Sequence, residues 1–125
     1  MKVIIASEDT TAVQRMISAF KARNISTDLF SNAAQALAAM DAFPFDLLIT
    51  AEHLQDMNGK ALIERVITLN PMINCAVISA RQAKDFHDFY EGLGVLMQFP
   101  PEPGEQEVAL LLGQIDKILS LSTSN

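Results

Sequence analysis

The residues that could carry chemistry stand at the ends of apolar segments of the sequence. Glu8 and Asp9 follow the first segment, and their carboxylates could hold a divalent cation through oxygen ligands. Two neighbouring acids without a third carboxylate make a weak metal site, however, and Asp9 can instead cap a helix. We therefore expect no cofactor, and Mg²⁺ held by Glu8 and Asp9 is the alternative.

Two later apolar segments also end in polar residues. Thr50 closes the segment at residues 45–50, and Ser79 closes the segment at residues 73–79. Between Thr50 and the polar loop stands Ala51, whose methyl group has no chemistry. Ser79 can either contact a ligand or bond the local backbone, and we favour the backbone bond.

Five apolar segments alternate with five helical patterns, and this order predicts how the polar residues are positioned. Short, mostly unalternating apolar strands are typical of a parallel sheet that helices cover on both faces, with right-handed crossovers. The sequence therefore predicts one doubly wound α/β domain with a five-stranded parallel sheet. The strands are expected at residues 3–6, 26–30, 45–50, 73–79 and 95–99. The helices are expected at residues 13–20, 32–42, 59–70, 81–91 and 108–119.

Several helix starts have candidate caps. Asp9 or Thr11 is expected to cap the first helix, and Thr11 and Gln14 have the spacing of a capping box. Ser31 is expected to cap the second helix.

In a doubly wound sheet the carboxyl ends of the strands share one rim, where ligands usually bind. The polar residues named above are therefore expected to converge there.

Four segments in order resemble the strand-end motifs of a known family, the receiver domains of two-component response regulators. They are VIIASED, DLLITAEHLQDMNG, NCAVISA and GLGVLMQFP. The resemblance covers essentially the whole chain and implies the flavodoxin-like receiver fold. It also implies Mg²⁺-assisted transfer of a phosphoryl group from a histidine kinase to an aspartate, with a hydroxyl and a lysine contacting the phosphoryl oxygens.

This chain departs from the family at the positions that carry that reaction. The aspartate position falls on Ala51 and the lysine position on Phe99, while Ser7 and Glu8 take the place of an acidic pair. Ser79 keeps the hydroxyl. An alanine cannot be a nucleophile and a phenylalanine cannot neutralise an oxyanion. We therefore expect a pseudo-receiver that is not an enzyme and acts by protein–protein contact in a bacterial phosphorelay.

Two alternatives stay open. A substitute residue among Thr50, Glu52 and Asp56 could accept the phosphoryl group, or the strand-end pocket could bind a small ligand. The pocket and switch positions are Ser7, Glu8, Asp9, Thr50, Ala51, His53, Ser79, Phe99 and Pro100.

Phe99 is expected to lie over the space left at Ala51 as an apolar plug. The family also implies a cis bond between Phe99 and Pro100. The aromatic group Phe86, Phe89 and Tyr90 is interpreted as helix-to-sheet core. As partners the resemblance implies a histidine kinase or an effector domain, and it suggests a homodimer through the fourth helix, fifth strand and fifth helix.

Composition bounds the remaining possibilities. With 50% hydrophobic and 19% charged residues the chain is too apolar for disorder. A formal net charge of −6 argues against direct nucleic-acid binding.

No apolar run approaches the ~18 residues of a membrane span. The start of the sequence does not have the pattern of a signal peptide. Cys75 is interpreted as a buried hydrophobic residue. We expect a cytoplasmic protein, with the receiver-like domain at residues 1–121 and a polar tail at 122–125.

Overall fold

The computed structural model describes the backbone of residues 1–123 and the side chains of residues 1–120. Strands and helices alternate along the chain as the apolar pattern predicts. The strands are β1 (Val3–Ala6), β2 (Thr27–Phe30), β3 (Leu47–Ala51), β4 (Asn74–Ile78) and β5 (Val95–Phe99). The helices are α1 (Gln14–Lys21), α2 (Ala33–Ala42), α3 (Gly59–Leu69), α4 (Ala83–Phe89) and α5 (Glu105–Thr123).

The strands form one parallel sheet in the order β2-β1-β3-β4-β5. The predicted doubly wound fold is confirmed, with β3 at the centre and β2 at one edge. The pairing of Ala6 with Thr50, and of Ile78 with both Ala51 and Phe99, aligns the strand ends. The polar residues that follow the strands therefore share one rim.

Two hydrophobic clusters hold the helices against the sheet. On one face, residues of α2, α3 and α4 pack over Leu48 and Val77. On the other face, residues of α1 and α5 pack over Ile49 and Phe99. Cys75 belongs to the first cluster, and burial raises the pKa of its thiol to about 12, so the group stays protonated at neutral pH. The prediction of a buried, unreactive cysteine fits this environment.

The helix starts differ from the predicted capping pattern. Asn32, and not Ser31, caps α2 through a hydrogen bond from the Gln35 amide of 2.8 Å. The predicted capping box at Thr11 and Gln14 is also wrong, because α1 begins at Gln14. Asp9 instead caps the turn before α1 by accepting from the Ala12 amide at 3.0 Å.

The C-terminal helix extends further than the apolar rhythm predicted. α5 ends at Thr123, so the first residues of the expected tail are helical, and residues 124–125 lie outside the described part of the chain. Within the described residues, no helix is both long and apolar enough to cross a membrane.

Candidate functional site

A cavity of about 320 Å³ lies at the carboxyl ends of β1, β3 and β4. Five of the predicted site residues line it, and they are Ser7, Asp9, Ala51, His53 and Ser79. The other lining residues are Ala12, Val13, Glu52, Ile78, Ala80 and Pro101. The structure therefore brings the strand-end residues together, with an alanine methyl group where the family resemblance expects a carboxylate.

Four predicted site residues lie away from the cavity lining. Glu8 is exposed to solvent, and Pro100 is exposed after the end of β5. Thr50 is fully buried, and its hydroxyl donates to the Ala51 carbonyl at 2.9 Å. Phe99 is fully buried within the cluster that α1 and α5 cover.

The predicted apolar plug is wrong in this structure. Phe99 does not line the cavity at Ala51, because its ring is enclosed by the core on the α1 and α5 side. Since β5 pairs Phe99 with Ile78, the ring packs beside that residue and not across the rim. The cis bond expected between Phe99 and Pro100 is also wrong, since that peptide bond is trans.

The donor set at the rim does not fit a divalent cation. The Asp9 carboxylate lines the cavity and already accepts the Ala12 amide, whereas Glu8 points to solvent. No group of three histidine, cysteine, aspartate or glutamate residues in the described part of the chain is placed to hold a metal ion. Mg²⁺ prefers several oxygen ligands in octahedral geometry, which Asp9 and Glu52, the two lining carboxylates, do not supply because both already accept hydrogen bonds from the protein.

Asp56 is committed to the start of α2. Its two carboxylate oxygens accept from the amides of Ala33 and Ala34 at 2.8 and 2.9 Å. These hydrogen bonds lower the pKa of Asp56, because they stabilise its charged form at the positive end of the helix dipole. Asp56 therefore links the loop after β3 to α2 and is not a free acceptor.

We expect Asp56→Asn to lower the midpoint of urea unfolding at neutral pH. The amide group keeps one acceptor but turns its nitrogen, a donor, toward a backbone N–H. Since the pKa of Asp56 is lower in the folded than in the unfolded state, the carboxylate stabilises the fold above its ordinary pKa of 3.8. This contribution is lost as the pH falls through the folded-state pKa, so the difference between the two proteins should shrink there.

The matched control for this loss is Asp116→Asn, which changes an exposed aspartate on α5. It should leave the unfolding midpoint unchanged. A midpoint for Asp56→Asn that equals wild type at neutral pH would contradict the capping role.

Glu52 is the residue that the sequence patterns did not identify as central. Its carboxylate accepts hydrogen bonds from Ser79 Oγ at 2.7 Å, Arg81 Nε at 2.6 Å and Tyr90 Oη at 2.8 Å. Burial by itself raises the pKa of Glu52, but the bonds from Arg81, Ser79 and Tyr90 outweigh it, so the pKa lies below its ordinary value. Glu52 is therefore an ionised, hydrogen-bonded group at neutral pH.

The aromatic group of α4 is mostly core, as its sequence pattern predicts. Phe86 and Tyr90 are buried against the sheet, and Phe89 is half-buried. Burial and the hydrogen bond to Glu52 raise the pKa of the Tyr90 hydroxyl, so it remains a donor. The spacing of residues in the sequence gave no indication that Tyr90 contacts Glu52, because two helices and a strand separate the two residues along the chain.

The sequence was compared with models of protein families and with curated protein sequences. The response regulator receiver domain family matches residues 3–96. No curated protein sequence matches the chain significantly.

Solved structures are similar over nearly the full length. A signal receiver domain of an HD domain-containing protein from Pseudomonas fluorescens Pf-5 is 20% identical, with 90% of this chain and 84% of that chain covered and a TM-score of 0.79. A two-component response regulator from Clostridium difficile is 18% identical, with 99% of each chain covered and a TM-score of 0.80. NtrX from Brucella abortus is 15% identical, with 97% of this chain and 28% of that chain covered and a TM-score of 0.84.

At these low identities the structural similarity shows the fold alone, whereas the family match is made by the sequence and spans most of the chain. The strand order and the aligned strand ends agree with it. The chain belongs to the response regulator receiver domain family of two-component signalling.

Proposed function

We propose that this receiver domain takes no phosphoryl group at the strand-end rim and signals by binding a protein partner. The observation that carries the proposal is the state of the rim cavity. Ala51 is one of its lining residues, and its two carboxylates, Asp9 and Glu52, already accept hydrogen bonds from the protein. A phosphoryl acceptor must be a free nucleophile at the cavity.

The residues that could replace an aspartate as phosphoryl acceptor are already engaged in other hydrogen bonds. Thr50 is buried and donates to a backbone carbonyl, Glu52 accepts three hydrogen bonds, and Asp56 caps α2. Phosphorylation of any of them would break contacts that the fold uses. These contacts support the non-catalytic function over phosphorylation at a second position.

Loss of the lysine position supports the same function. Phosphoryl transfer depends on positioning and on neutralising charge at the phosphoryl oxygens. Phe99 is enclosed in the core and supplies no charge to the cavity, and no lysine or arginine is among the lining residues. Such a rim neither binds nor stabilises a phosphoryl group.

The proposed partners are a histidine kinase or an effector domain, because receiver domains connect these two classes of protein. Pairing of two copies through α4, β5 and α5 stays a prediction, as does a small ligand in the rim cavity. Both are compatible with a module that does not use aspartyl phosphate.

Titration with beryllofluoride and Mg²⁺ tests the proposal, because this phosphoryl mimic binds an aspartate carboxylate at a receiver's rim. We expect the amide resonances of Ala51, Glu52 and Ser79 to stay unchanged relative to Mg²⁺ alone. Saturable shifts at these three residues that require beryllofluoride would overturn it.

A further inference from the structure

Four parts of the chain meet at the carboxylate of Glu52. Glu52 follows β3, Ser79 follows β4, Arg81 lies in the loop before α4, and Tyr90 follows the last turn of α4. Three of these residues donate to the fourth, at 2.6 to 2.8 Å. The carboxylate thus connects the central strand to α4 and to the loop before it.

A second set of hydrogen bonds holds the same loop. Ser79 Oγ accepts from the Arg81 amide at 3.1 Å while it donates to Glu52. From β5, the side-chain amide of Gln98 donates to the carbonyls of Ser79 and Arg81 at 3.1 and 2.7 Å. The loop between β4 and α4 is therefore bound from β3 on one side and from β5 on the other.

Aromatic side chains of α4 make further contacts next to the Glu52 carboxylate. The Tyr90 ring packs against Phe86 and Phe89, with centroids 4.6 and 5.0 Å apart. The Phe89 ring also lies against Arg81, at 3.9 Å, and Lys60 of α3, at 4.5 Å. Arg81 thus contacts both the carboxylate and the aromatic ring.

α4 depends on these contacts because it has little else to fix it. It spans seven residues and has no side-chain cap, and isolated helices of this length are unstable in water. Its core contacts come from Phe86, from the half-buried Phe89 and from Tyr90 at its end, while the four other residues from 84 to 88 are exposed. Removing the Tyr90 anchor would leave one buried side chain on the helix.

We propose that Glu52 is an intramolecular clamp that holds the β4–α4 loop and α4 in one arrangement. The exposed face of α4 is then displayed in a fixed orientation without any covalent modification. The clamp goes beyond the proposed function, since its geometry is independent of whether another residue accepts a phosphoryl group.

Glu52→Gln tests the clamp most sharply. The glutamine has nearly the same shape, but it removes the negative charge and replaces one acceptor oxygen with a donor nitrogen. In either orientation of the amide that nitrogen meets a donor, which is Ser79 on one side and Arg81 with Tyr90 on the other. Hydrogen exchange of the α4 amides, including those of Phe86 and Tyr90, measures the opening of this part of the fold. We expect exchange about tenfold faster than in wild type, because hydrogen bonds to a charged group are lost.

Two further variants make the result specific. Tyr90→Phe removes only the hydroxyl and should speed α4 exchange by a smaller factor, about threefold, with the ring packing intact. Glu64→Gln changes an exposed glutamate of α3 whose side chain has no partner among the described residues, and it should change nothing.

Unchanged α4 exchange in both Glu52→Gln and Tyr90→Phe would overturn the clamp. Equal acceleration throughout the sheet and helices would also overturn it, because it would assign Glu52 to global stability. Phosphoryl binding is read from shifts at Ala51 and the clamp from exchange in α4, so a failure of one proposal is distinguishable from a failure of the other.

Discussion

Phe99→Ala should lower the free energy of unfolding by about 3–5 kcal/mol, the largest effect that we expect from one substitution in this chain. The Phe99 ring is fully buried among residues of α1 and α5, and its removal would leave a cavity that the neighbouring side chains fill only partly. Urea unfolding measured by far-UV circular dichroism would give the value.

Phe43→Ala is the matched control, since Phe43 is 58% exposed and contacts Lys2 at the surface. Its expected loss is below about 1 kcal/mol. Similar small losses for the two variants would contradict the placement of Phe99 in the core. The same placement means that Phe99→Lys would bury a charge, so this one substitution would not restore the family's lysine to the rim.

Gly59→Ala should lower the free energy of unfolding by about 1–3 kcal/mol, because the added methyl group has no room. A Cβ at this position would lie under 3.0 Å from the Ala51 carbonyl oxygen and 3.3 Å from the Ala51 carbonyl carbon. Both neighbours are backbone atoms and cannot rotate aside. The Gly59 amide also donates to the Glu52 carbonyl at 2.8 Å, so the strain would reach the rim.

Gly113→Ala is the control for this substitution. Gly113 lies in α5 with no atom near its missing Cβ, and alanine in a helix should stabilise the protein by up to about 1 kcal/mol. Thermal unfolding of the two variants should therefore shift in opposite directions. A stabilised Gly59→Ala would contradict the close approach of α3 to the end of β3.

The fold could be predicted from the sequence because the spacing of apolar residues within each segment indicates whether that segment is a strand or a helix. Apolar runs of four to five residues alternate with helical rhythms, and parallel strands of that kind need helices on both faces. Most of the boundaries that moved shifted by one to three residues, and the end of α5 shifted by four. The convergence of Ser7, Ala51 and Ser79 followed from the same rule, since all three stand at carboxyl ends of strands.

The contacts of the site were less predictable, because they depend on the directions in which side chains point, and the spacing of residues in the sequence does not determine those directions. Phe99 stands at the family's lysine position, yet a large apolar ring gains more from the core beside Ile78 than from a wet rim. Asp9 and Asp56 were candidates for metal or phosphoryl chemistry, but unpaired backbone amides at helix starts bind such carboxylates. Tyr90 meets Glu52 only through the tertiary fold.

The most direct measurement of the central claim is the intact mass of the protein after incubation with acetyl phosphate and Mg²⁺. Because Ala51 offers no nucleophile and Phe99 no charge, we expect the mass to stay that of the unmodified chain. A stoichiometric, hydroxylamine-labile increase of one phosphoryl group would contradict the account, and its loss in Glu52→Gln or Asp56→Asn would identify the acceptor.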